Sequence, residues 1–482
     1  MLRMINWLIV FSISSLTSLP TLAGACTAGP AQASKARPLL IRNVQVLPMT
    51  ADRREVLEQH AVLIQAGRIV RVAPDTAISV PPGARIIDGK GGFLLPGLTD
   101  MHVHVWDKPE LSAYLATGVT TIRNASSMPF HLAYATAIDT GCLAGPRLIT
   151  TGPILNGQGP NTQANHQIVS TAAEARAAVH AQHRQGYRHL KVYSNLSRET
   201  YRAIVEEGQR LGMTIMGHTP EGLREPGMPH RKPFQIPFRE MLQDPLVSIE
   251  HMESIVWHAL HDEFDEGKAR TLAREIAASR IAVTPTLIAH RNLLLVAQSR
   301  GRYLRRPGVA WLNPFISALE QPAYKQWSTT APAERAQHDA FYSQATRIFH
   351  EEGVKLLAGT DAGIFTNLPG ISLIEELKLL TDAGLSSFEA LQTATRHPAD
   401  VLGMGHHLGQ IREGYLADLI LAQADPSLDI GSLRSITGLV VAGKWLGPER
   451  IAQLKHHARS TSYARSKQQI MDGLKAQGSA LE

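Results

Sequence analysis

The chain has 482 residues, of which 44% are hydrophobic and 19% are charged, so it has the composition of a globular protein large enough for two structural units. Its formal charge is +6, but Lys and Arg are scattered along the chain rather than gathered in a tract, which disfavours nucleic acid as a partner. The only two cysteines, Cys26 and Cys142, are too few for a zinc site made of cysteines, and their pairing stays open.

Residues 1–25 have the features of a signal peptide. Arg3 supplies a positive charge, "INWLIVFSISSL" a short apolar core, and Ala23-Gly24-Ala25 an A-x-A cleavage site. We therefore predict export to the periplasm or the cell exterior, with cleavage after Ala25. The apolar core is too short and too rich in serine for a stable membrane span, and no later stretch is long enough for one. Lipoprotein anchoring at Cys26 is the alternative, disfavoured because Ala23 stands where lipoproteins usually carry leucine.

Both ends of the remaining chain have the alternating pattern of β-strands. Residues 26–37 are polar and predict a disordered linker, and residues 38–96 then carry "LLIRNVQVLPM" and "HAVLIQAGRIVRVAP" between turns, which predicts a small antiparallel β domain. Residues 408–450 return to this pattern in "GQIREGYLADLILAQADP" and "ITGLVVAGKWL". The simplest arrangement is one small β-sandwich domain formed by both chain ends, with the rest of the chain inserted between them.

Residues 97–407 alternate short apolar runs with helix-like segments. Eight runs occur, from "GLTDMHVHVW" to "VKLLAGTDAG", and segments such as "TAAEARAAVHAQHRQG" and "SRETYRAIVEEGQRLG" begin near Ser or Thr and end at Gly, as helices do. Eight β–α repeats predict an α/β fold, a (β/α)8 TIM barrel. Residues from about 291 to 349 exceed one crossover helix and predict a mostly helical insertion. Residues 451–482 predict a helical C-terminal tail.

Catalytic groups of such a barrel project from the carboxyl ends of its strands, so the residues that end each run are the candidates. The first run ends in His102-Val103-His104, and residues two apart in a strand face the same side. Two neutral imidazoles there suit one metal ion. The fourth run, "HLKVYS", places Lys191 at the same edge. One interpretation is a structural lysine that is paired with a nearby carboxylate or extends its charged end to solvent. The other is a lysine whose amine has reacted with CO2 to form a metal-binding carbamate.

Three later runs also end in possible ligands. The fifth ends in "GHTP" and the sixth in "EHMES", which place His218 and His251 there. The eighth ends in "AGTDAG", and Asp361 can either ligate a metal and take a proton from water or cap the next helix. The ordered combination of four histidines, one lysine and one aspartate favours a metal site over a set of structural residues.

These motifs resemble those of the amidohydrolase superfamily of metal-dependent hydrolases. The resemblance covers roughly residues 38–446 and is strongest for the branch with a carboxylated lysine, which contains imidazolonepropionase-like and prolidase-like proteins. It implies two divalent metal ions, with histidine and carboxylate ligands favouring Zn2+. It also implies a role for each residue: His102, His104 and Asp361 hold the more buried ion, His218 and His251 hold the more exposed one, and a carbamate on Lys191 bridges them.

The resemblance also implies a reaction. A hydroxide between the metals would attack an amide or peptide C–N bond of a small-molecule substrate, such as a dipeptide or an N-acyl amino acid, and Asp361 would carry the proton to the leaving amine. The bridging Lys191 disfavours the ring opening performed by the mononuclear imidazolonepropionase. An ester, lactone or phosphotriester substrate is the alternative for the same site, and a non-catalytic metal- or ligand-binding barrel is the alternative of another class. The sequence leaves the oligomeric state, including a homo-oligomer, open.

Four further residues are weaker candidates for substrate contacts. Tyr193, two residues after Lys191, could donate to the substrate carbonyl oxygen, or it could be a packed barrel tyrosine. His166, in the polar loop "GPNTQANHQ" after the third run, could do the same. His290 follows the seventh run, and Arg123 ends the second, where a structural ion pair is favoured over contact with a substrate carboxylate.

Overall fold

The computed structural model describes residues 37–224 and 234–478. The predicted signal peptide, the cleavage site and nearly all of the predicted linker, including Cys26, lie outside these residues. In the part of the chain that is described, no helix is long and apolar enough to cross a membrane.

Strands and helices alternate through the middle of the chain, whereas strands dominate near its beginning. The strands are β1 (Leu39–Val46), β2 (Leu57–Gln65), β3 (Arg68–Pro74), β4 (Arg85–Asp88), β5 (Phe93–Pro96), β6 (Leu98–Val103), β7 (Val119–Asn124), β8 (Arg147–Thr150), β9 (Ile154–Asn156), β10 (His166–Ile168), β11 (His189–Val192), β12 (Thr214–Gly217), β13 (Leu246–Glu250), β14 (Ala282–Thr284), β15 (Leu419–Ala422), β16 (Ile436–Val441) and β17 (Lys444–Leu446). The helices are α1 (Lys108–Ala116), α2 (Pro129–Asp139), α3 (Ala172–Gln185), α4 (Arg198–Arg210), α5 (Phe238–Met241), α6 (Met252–Leu260), α7 (Glu266–Ser279), α8 (Leu287–Gln298), α9 (Pro314–Leu319), α10 (Gln321–Thr329), α11 (Pro332–Glu351), α12 (Ile371–Asp382), α13 (Ser387–Thr393), α14 (Arg396–Val401), α15 (Pro448–His457) and α16 (Tyr463–Ala476).

One eight-stranded sheet is built from both ends of the described chain. Its order is β17-β16-β15-β5-β1-β2-β3, with β4 paired to β1, so β15 from the late segment pairs directly with β5 from the early one. The prediction of a purely antiparallel domain is wrong, because β1 is parallel to both β4 and β5. Residues 75–84 separate β3 from β4, so the chain can return to the sheet in the direction of β1, which a tight hairpin would prevent. β5 follows β4 after only residues 89–92 and keeps that direction.

Two further sheets are wholly parallel, and the fold is therefore α/β. One contains β6, β7 and β8, and the other has the order β10-β9-β11-β12-β13-β14. The third predicted run is divided between β8 and β9. The eighth run forms no strand, but residues 356–362 make parallel bridges to β14 through Leu356 and to β6 through Ala362. These bridges place the end of this run beside the end of β6.

The two helices predicted from their capping residues are confirmed. The side chain of Thr171 accepts a hydrogen bond from the backbone of Glu174 at the start of α3, and Gly186 ends that helix with a φ of 107°. The Ser197 side chain caps α4 in the same way. Within residues 291–349 lie the end of α8, all of α9 and α10, and most of α11, and the C-terminal segment forms α15 and α16.

Candidate metal centre

The end of β6 and the segment that bridges β14 to β6 bring three metal-binding groups together. The backbone amide of His104 donates to Ala362 O, and the amide of Asp361 donates to His102 O, which sets Asp361 against the end of β6. His104 Nε2 then lies 2.8 Å from Asp361 Oδ1, and His102 Nε2 lies 3.5 Å from the same oxygen. One ligand atom from each of these three buried residues lies within 4.8 Å of the others.

Lys191 joins this cluster from the end of β11. Its Nζ lies 3.1 Å from His102 Nε2, and the side chain is only 1% exposed. Burial lowers the pKa of the amine to about 8, although Asp361 raises it. Among the described residues no carboxylate forms an ion pair with Lys191, so the pairing that would make it a structural lysine is not formed there. A readily deprotonated amine is the form that reacts with CO2.

His218 and His251 form a second group beside the first. Each follows the last residue of its strand, β12 or β13, and their ring centroids are 4.3 Å apart. The ring of His251 also lies 4.6 Å from that of His102. His251 Nδ1 is 2.7 Å from Thr286 Oγ1, and a contact of this kind fixes the ring and leaves Nε2 for a metal.

A buried carboxylate that sequence reasoning missed orients the first histidine. Glu250 Oε2 is 2.7 Å from His102 Nδ1, and neither side chain is exposed. Glu250 Oε1 accepts a hydrogen bond from Arg123 Nη2 at 2.8 Å, so Arg123 has the structural ion pair favoured from the sequence and does not face a substrate. The signal was present, because Glu250 directly precedes His251, but only the fold shows which histidine it reaches.

Three candidates for substrate contacts lie along the same site. The Tyr193 ring is 4.0 Å from the ring of His218 and 4.7 Å from that of His166. His166 begins the short strand β10 rather than lying in a loop, because its segment pairs with β9. His290 Nε2 is 2.8 Å from Glu253 Oε2. All of these residues line one cavity of about 460 Å³, together with Lys191 and Asp361.

The ionisation of the ligand candidates suits a divalent cation. Burial lowers the pKa of the four histidines, so they are neutral imidazoles with a lone pair available to a metal: His102, His104, His218 and His251. Burial by itself raises the pKa of Asp361, but the hydrogen bond from His104 and the electrostatic influence of His104, His251 and Lys191 together outweigh it, and the pKa is about 2.

Two of these rings each have one nitrogen without a hydrogen-bond partner among the described residues. The Nδ1 atoms of His104 and His218 are buried and have no hydrogen bond from the described residues. Buried polar atoms are rarely left unsatisfied in proteins. The unpaired atoms and the neutral donors around an ionised carboxylate fit a bound metal ion.

The comparisons with known proteins place this geometry in a family. Residues 93–446 match the amidohydrolase family. The imidazolonepropionase of Pseudomonas entomophila (strain L48) is 22% identical over 433 residues, which cover 85% of this chain and 96% of that protein. The structure of a bottromycin amidohydrolase is 25% identical, with a TM-score of 0.70, and the alignment covers 89% of this chain and 91% of that one.

Other relatives match only locally. The adenine deaminase of Ruegeria sp. (strain TM1040) is 46% identical over 52 residues, or 11% of this chain, and the chain spans only 9% of that protein's length. The family match, in contrast, covers well over half of the chain and includes every ligand candidate from His102 to Asp361. The chain belongs to the amidohydrolase family.

Proposed function

We propose that this protein is an exported, binuclear metal-dependent amidohydrolase that cleaves an amide or peptide C–N bond of a small substrate. The observation that carries the proposal is the cluster of His102, His104 and Asp361, with Lys191 Nζ 3.1 Å from His102 Nε2. The bottromycin amidohydrolase and the full-length relative are consistent with a hydrolase of C–N bonds.

Each site residue has a proposed role. His102, His104 and Asp361 would hold one ion, His218 and His251 a second, and a CO2-derived carbamate on Lys191 would bridge them. When bound, two divalent cations, for which we propose Zn2+, polarise a carbonyl and lower the pKa of water.

The proton is carried by Asp361. Its Oδ1 is held by His104, whereas its Oδ2 takes no hydrogen bond from the described residues. Because this carboxylate is ionised, Oδ2 can accept a proton from water and pass it to the leaving amine. Tyr193, whose ring adjoins that of His218, and His166, whose ring adjoins that of Tyr193, would orient the substrate carbonyl.

A hydrolysis screen of dipeptides, N-acyl amino acids, esters and lactones with the Zn-loaded mature protein tests this function. We expect two metal ions per chain, turnover of amides, loss of turnover with a chelator, and a loss of at least a thousandfold in Asp361→Asn with the fold intact. Asp265→Asn is the matched control, because asparagine also caps a helix and Asp265 caps α7. Wild-type turnover in Asp361→Asn would refute the proton transfer.

The carbamate has a test of its own. Incubation with isotopically labelled bicarbonate should give a carbamate carbon resonance in the wild type, and Lys191→Met should lack it. A spectrum without this resonance, from protein that contains both metal ions, would contradict the bridging role of Lys191.

A second candidate is a mononuclear hydrolase that opens a ring or removes an amino group. Two observations favour it: among the described residues only His102, His104 and Asp361 form a cluster of three ligands, and the full-length relative is an imidazolonepropionase. It predicts one metal ion per chain and retained activity in Lys191→Met, which are the opposite of the results expected from a binuclear site.

We also propose a barrel and a sandwich domain as the finer architecture of the chain. The pairing of residues 356–362 with both β14 and β6 supports a (β/α)8 barrel over residues 97–407, with an insertion at 291–349. The bridge between Arg68 of β3 and Leu416, which lies just before β15, supports a β-sandwich formed by residues 38–96 and 408–450. Export predicts that the mature protein begins at Cys26, which N-terminal sequencing of the exported protein checks.

A further inference from the structure

The cavity beside the metal centre has one wall from a segment beyond the family match. The match ends at residue 446, whereas Ile470, Met471 and Leu474 of α16 line the cavity. The sequence predicts only the length and the helical character of this tail. In the structure it forms part of the wall of the cavity that also contains Lys191 and Asp361.

The wall formed by α16 is apolar and continuous with the opposite side of the cavity. Ile470 and Leu474 pack in one buried cluster with Trp106, Phe315 and other apolar side chains. Trp106 connects this cluster to the metal centre, because its ring stacks on His104 at 6.1 Å and its indole N–H donates to Gly363 O. Dry apolar surface therefore begins next to a metal ligand.

Polar contacts hold α16 in this position. Arg465 donates to the buried Asp107 carboxylate, with Nε 2.8 Å from Oδ1. Gln469 Nε2 donates to Trp106 O at 3.0 Å, and Gln469 Oε1 accepts from Tyr134 at 2.6 Å. These bonds leave the apolar face of α16 turned toward the cavity, where an apolar ligand can bury it.

Another wall carries a cation that forms no ion pair with any described residue. Arg335 of α11 lines the cavity, and its Nε is buried without a hydrogen bond. No carboxylate among the described residues forms an ion pair with it. Two carboxylates act on it electrostatically without forming an ion pair: Glu253 and Glu334, and Glu253 is already bonded to His290 at 2.8 Å. An unpaired, partly buried guanidinium is costly, and a ligand carboxylate would balance it with two parallel hydrogen bonds.

We infer that the substrate is an amide with a large apolar group on one side of the scissile bond and a carboxylate for Arg335. The apolar group lies against Met471 and its neighbours on α16. This inference rests on the proposed hydrolysis of C–N bonds and names the substrate class: N-acyl amino acids or dipeptides with an aliphatic chain of several carbons.

Two series of substrates test the apolar subsite. One lengthens the acyl group of N-acylglycines from acetyl to octanoyl, and the other lengthens the aliphatic side chain of N-acetyl amino acids. We expect kcat/KM to rise in one series by about fourfold per methylene, the factor that corresponds to burying one CH2. Met471→Gln should flatten this rise, and Met471→Trp should reverse it for the longest chains by filling the space.

Matched variants distinguish an effect on the cavity wall from a general effect on α16. Asp472→Ala changes an exposed residue next to Met471 and should leave the chain-length series unchanged. Arg335→Met should lower kcat/KM for acylglycines by roughly a hundredfold but leave the corresponding acylglycinamides unaffected, since they carry no carboxylate. Arg335→Lys should recover part of the loss.

Binding to Asp361→Asn, which retains substrate without turnover, distinguishes the two proposals. If the wild type hydrolyses no amide but octanoylglycine binds this variant more tightly than acetylglycine, by calorimetry, the apolar subsite stands and the proposed function fails. Turnover that is equal within twofold across both series overturns the apolar subsite, even when amides are hydrolysed. Equal losses of acylglycines and acylglycinamides in Arg335→Met overturn the carboxylate contact.

Discussion

Replacement of Glu250 by glutamine would test how the buried ion pair behind the metal centre supports it. Glu250 Oε2 lies 2.7 Å from His102 Nδ1, and Oε1 lies 2.8 Å from Arg123 Nη2. Glutamine has nearly the same shape and its carbonyl oxygen can still accept the hydrogen bond from His102. It has no charge, however, and so leaves the buried guanidinium of Arg123 unbalanced.

The size of the effect follows from the contacts that Arg123 keeps. Its Nε still donates to Met101 O at 2.7 Å, and its Nη1 to Ser248 Oγ at 2.9 Å. Loss of one partner of a buried ion pair costs about 3–5 kcal/mol, and the two remaining bonds place the expected loss at the lower end, about 3 kcal/mol. That loss is roughly a hundredfold in the unfolding equilibrium. Affinity for the metal should also fall about 10–100-fold, because the partner that orients His102 is weaker.

Urea denaturation of the wild type, Glu250→Gln, Arg123→Met and the double variant forms a double-mutant cycle. The double variant should be more stable, by about 2 kcal/mol, than the sum of the single losses predicts, because methionine leaves no buried cation beside the glutamine. Zinc titration against a chromogenic chelator measures the metal affinity. Losses that add within about 0.5 kcal/mol, together with unchanged zinc affinity in Glu250→Gln, would refute the reasoning.

Three further changes have distinct expected results. Gly217→Ala should lower the free energy of unfolding by about 2–4 kcal/mol, because the added Cβ would lie 2.2 Å from a backbone oxygen. Gly83→Ala, which is also at positive φ but in open space, should lower it by only about 1 kcal/mol, and equal shifts of the two urea midpoints would contradict the clash at Gly217. Burial raises the pKa of Glu376 from 4.5 to about 8, so the stability that its protonated form contributes below pH 4.5 is lost as the pH rises to 8. Denaturation experiments across this range should show a smaller decrease in the free energy of unfolding for Glu376→Gln, and an unchanged decrease would count against this role of Glu376. Arg465→Met should expose α16 to limited proteolysis, because Asp107 then loses its ion pair at 2.5 Å; cleavage at the wild-type rate would show that other contacts suffice.

The cluster of metal-binding groups could be anticipated because strand direction and order carry most of the information. Parallel strands bring their carboxyl ends to one edge of a sheet, so residues that follow successive apolar runs meet there although they are far apart in the chain. His102, His104 and Asp361 come together for this reason. The same logic places His218 and His251 beside each other, at 4.3 Å between ring centroids.

The contacts around the metal-binding cluster could not be predicted from strand direction and order. Glu250 could have contacted either neighbouring histidine, and the packing of β13 against Arg123 decides that it contacts His102. Met471 lies on a helix whose polar and apolar residues fit any amphipathic tail, and its position depends on where α16 docks. The predicted direction of β1 relative to β4 and β5 was wrong, because turn residues show where a strand ends but not where the chain re-enters a sheet.

Local features of this protein could be predicted before its fold was known: the helix caps, the apolar runs, and the histidines, lysine and aspartate that follow them. Each depends on residues close together in the chain, and their physical chemistry acts over one turn or one strand. The folded chain was needed to show which buried charges pair, that Arg335 faces the cavity, and that the C-terminal helix forms part of the cavity wall. Arg123 and Glu250 are 127 positions apart, and Arg465 and Asp107 are 358 positions apart. The energies of such contacts come from burial and electrostatics that exist only once the chain has folded.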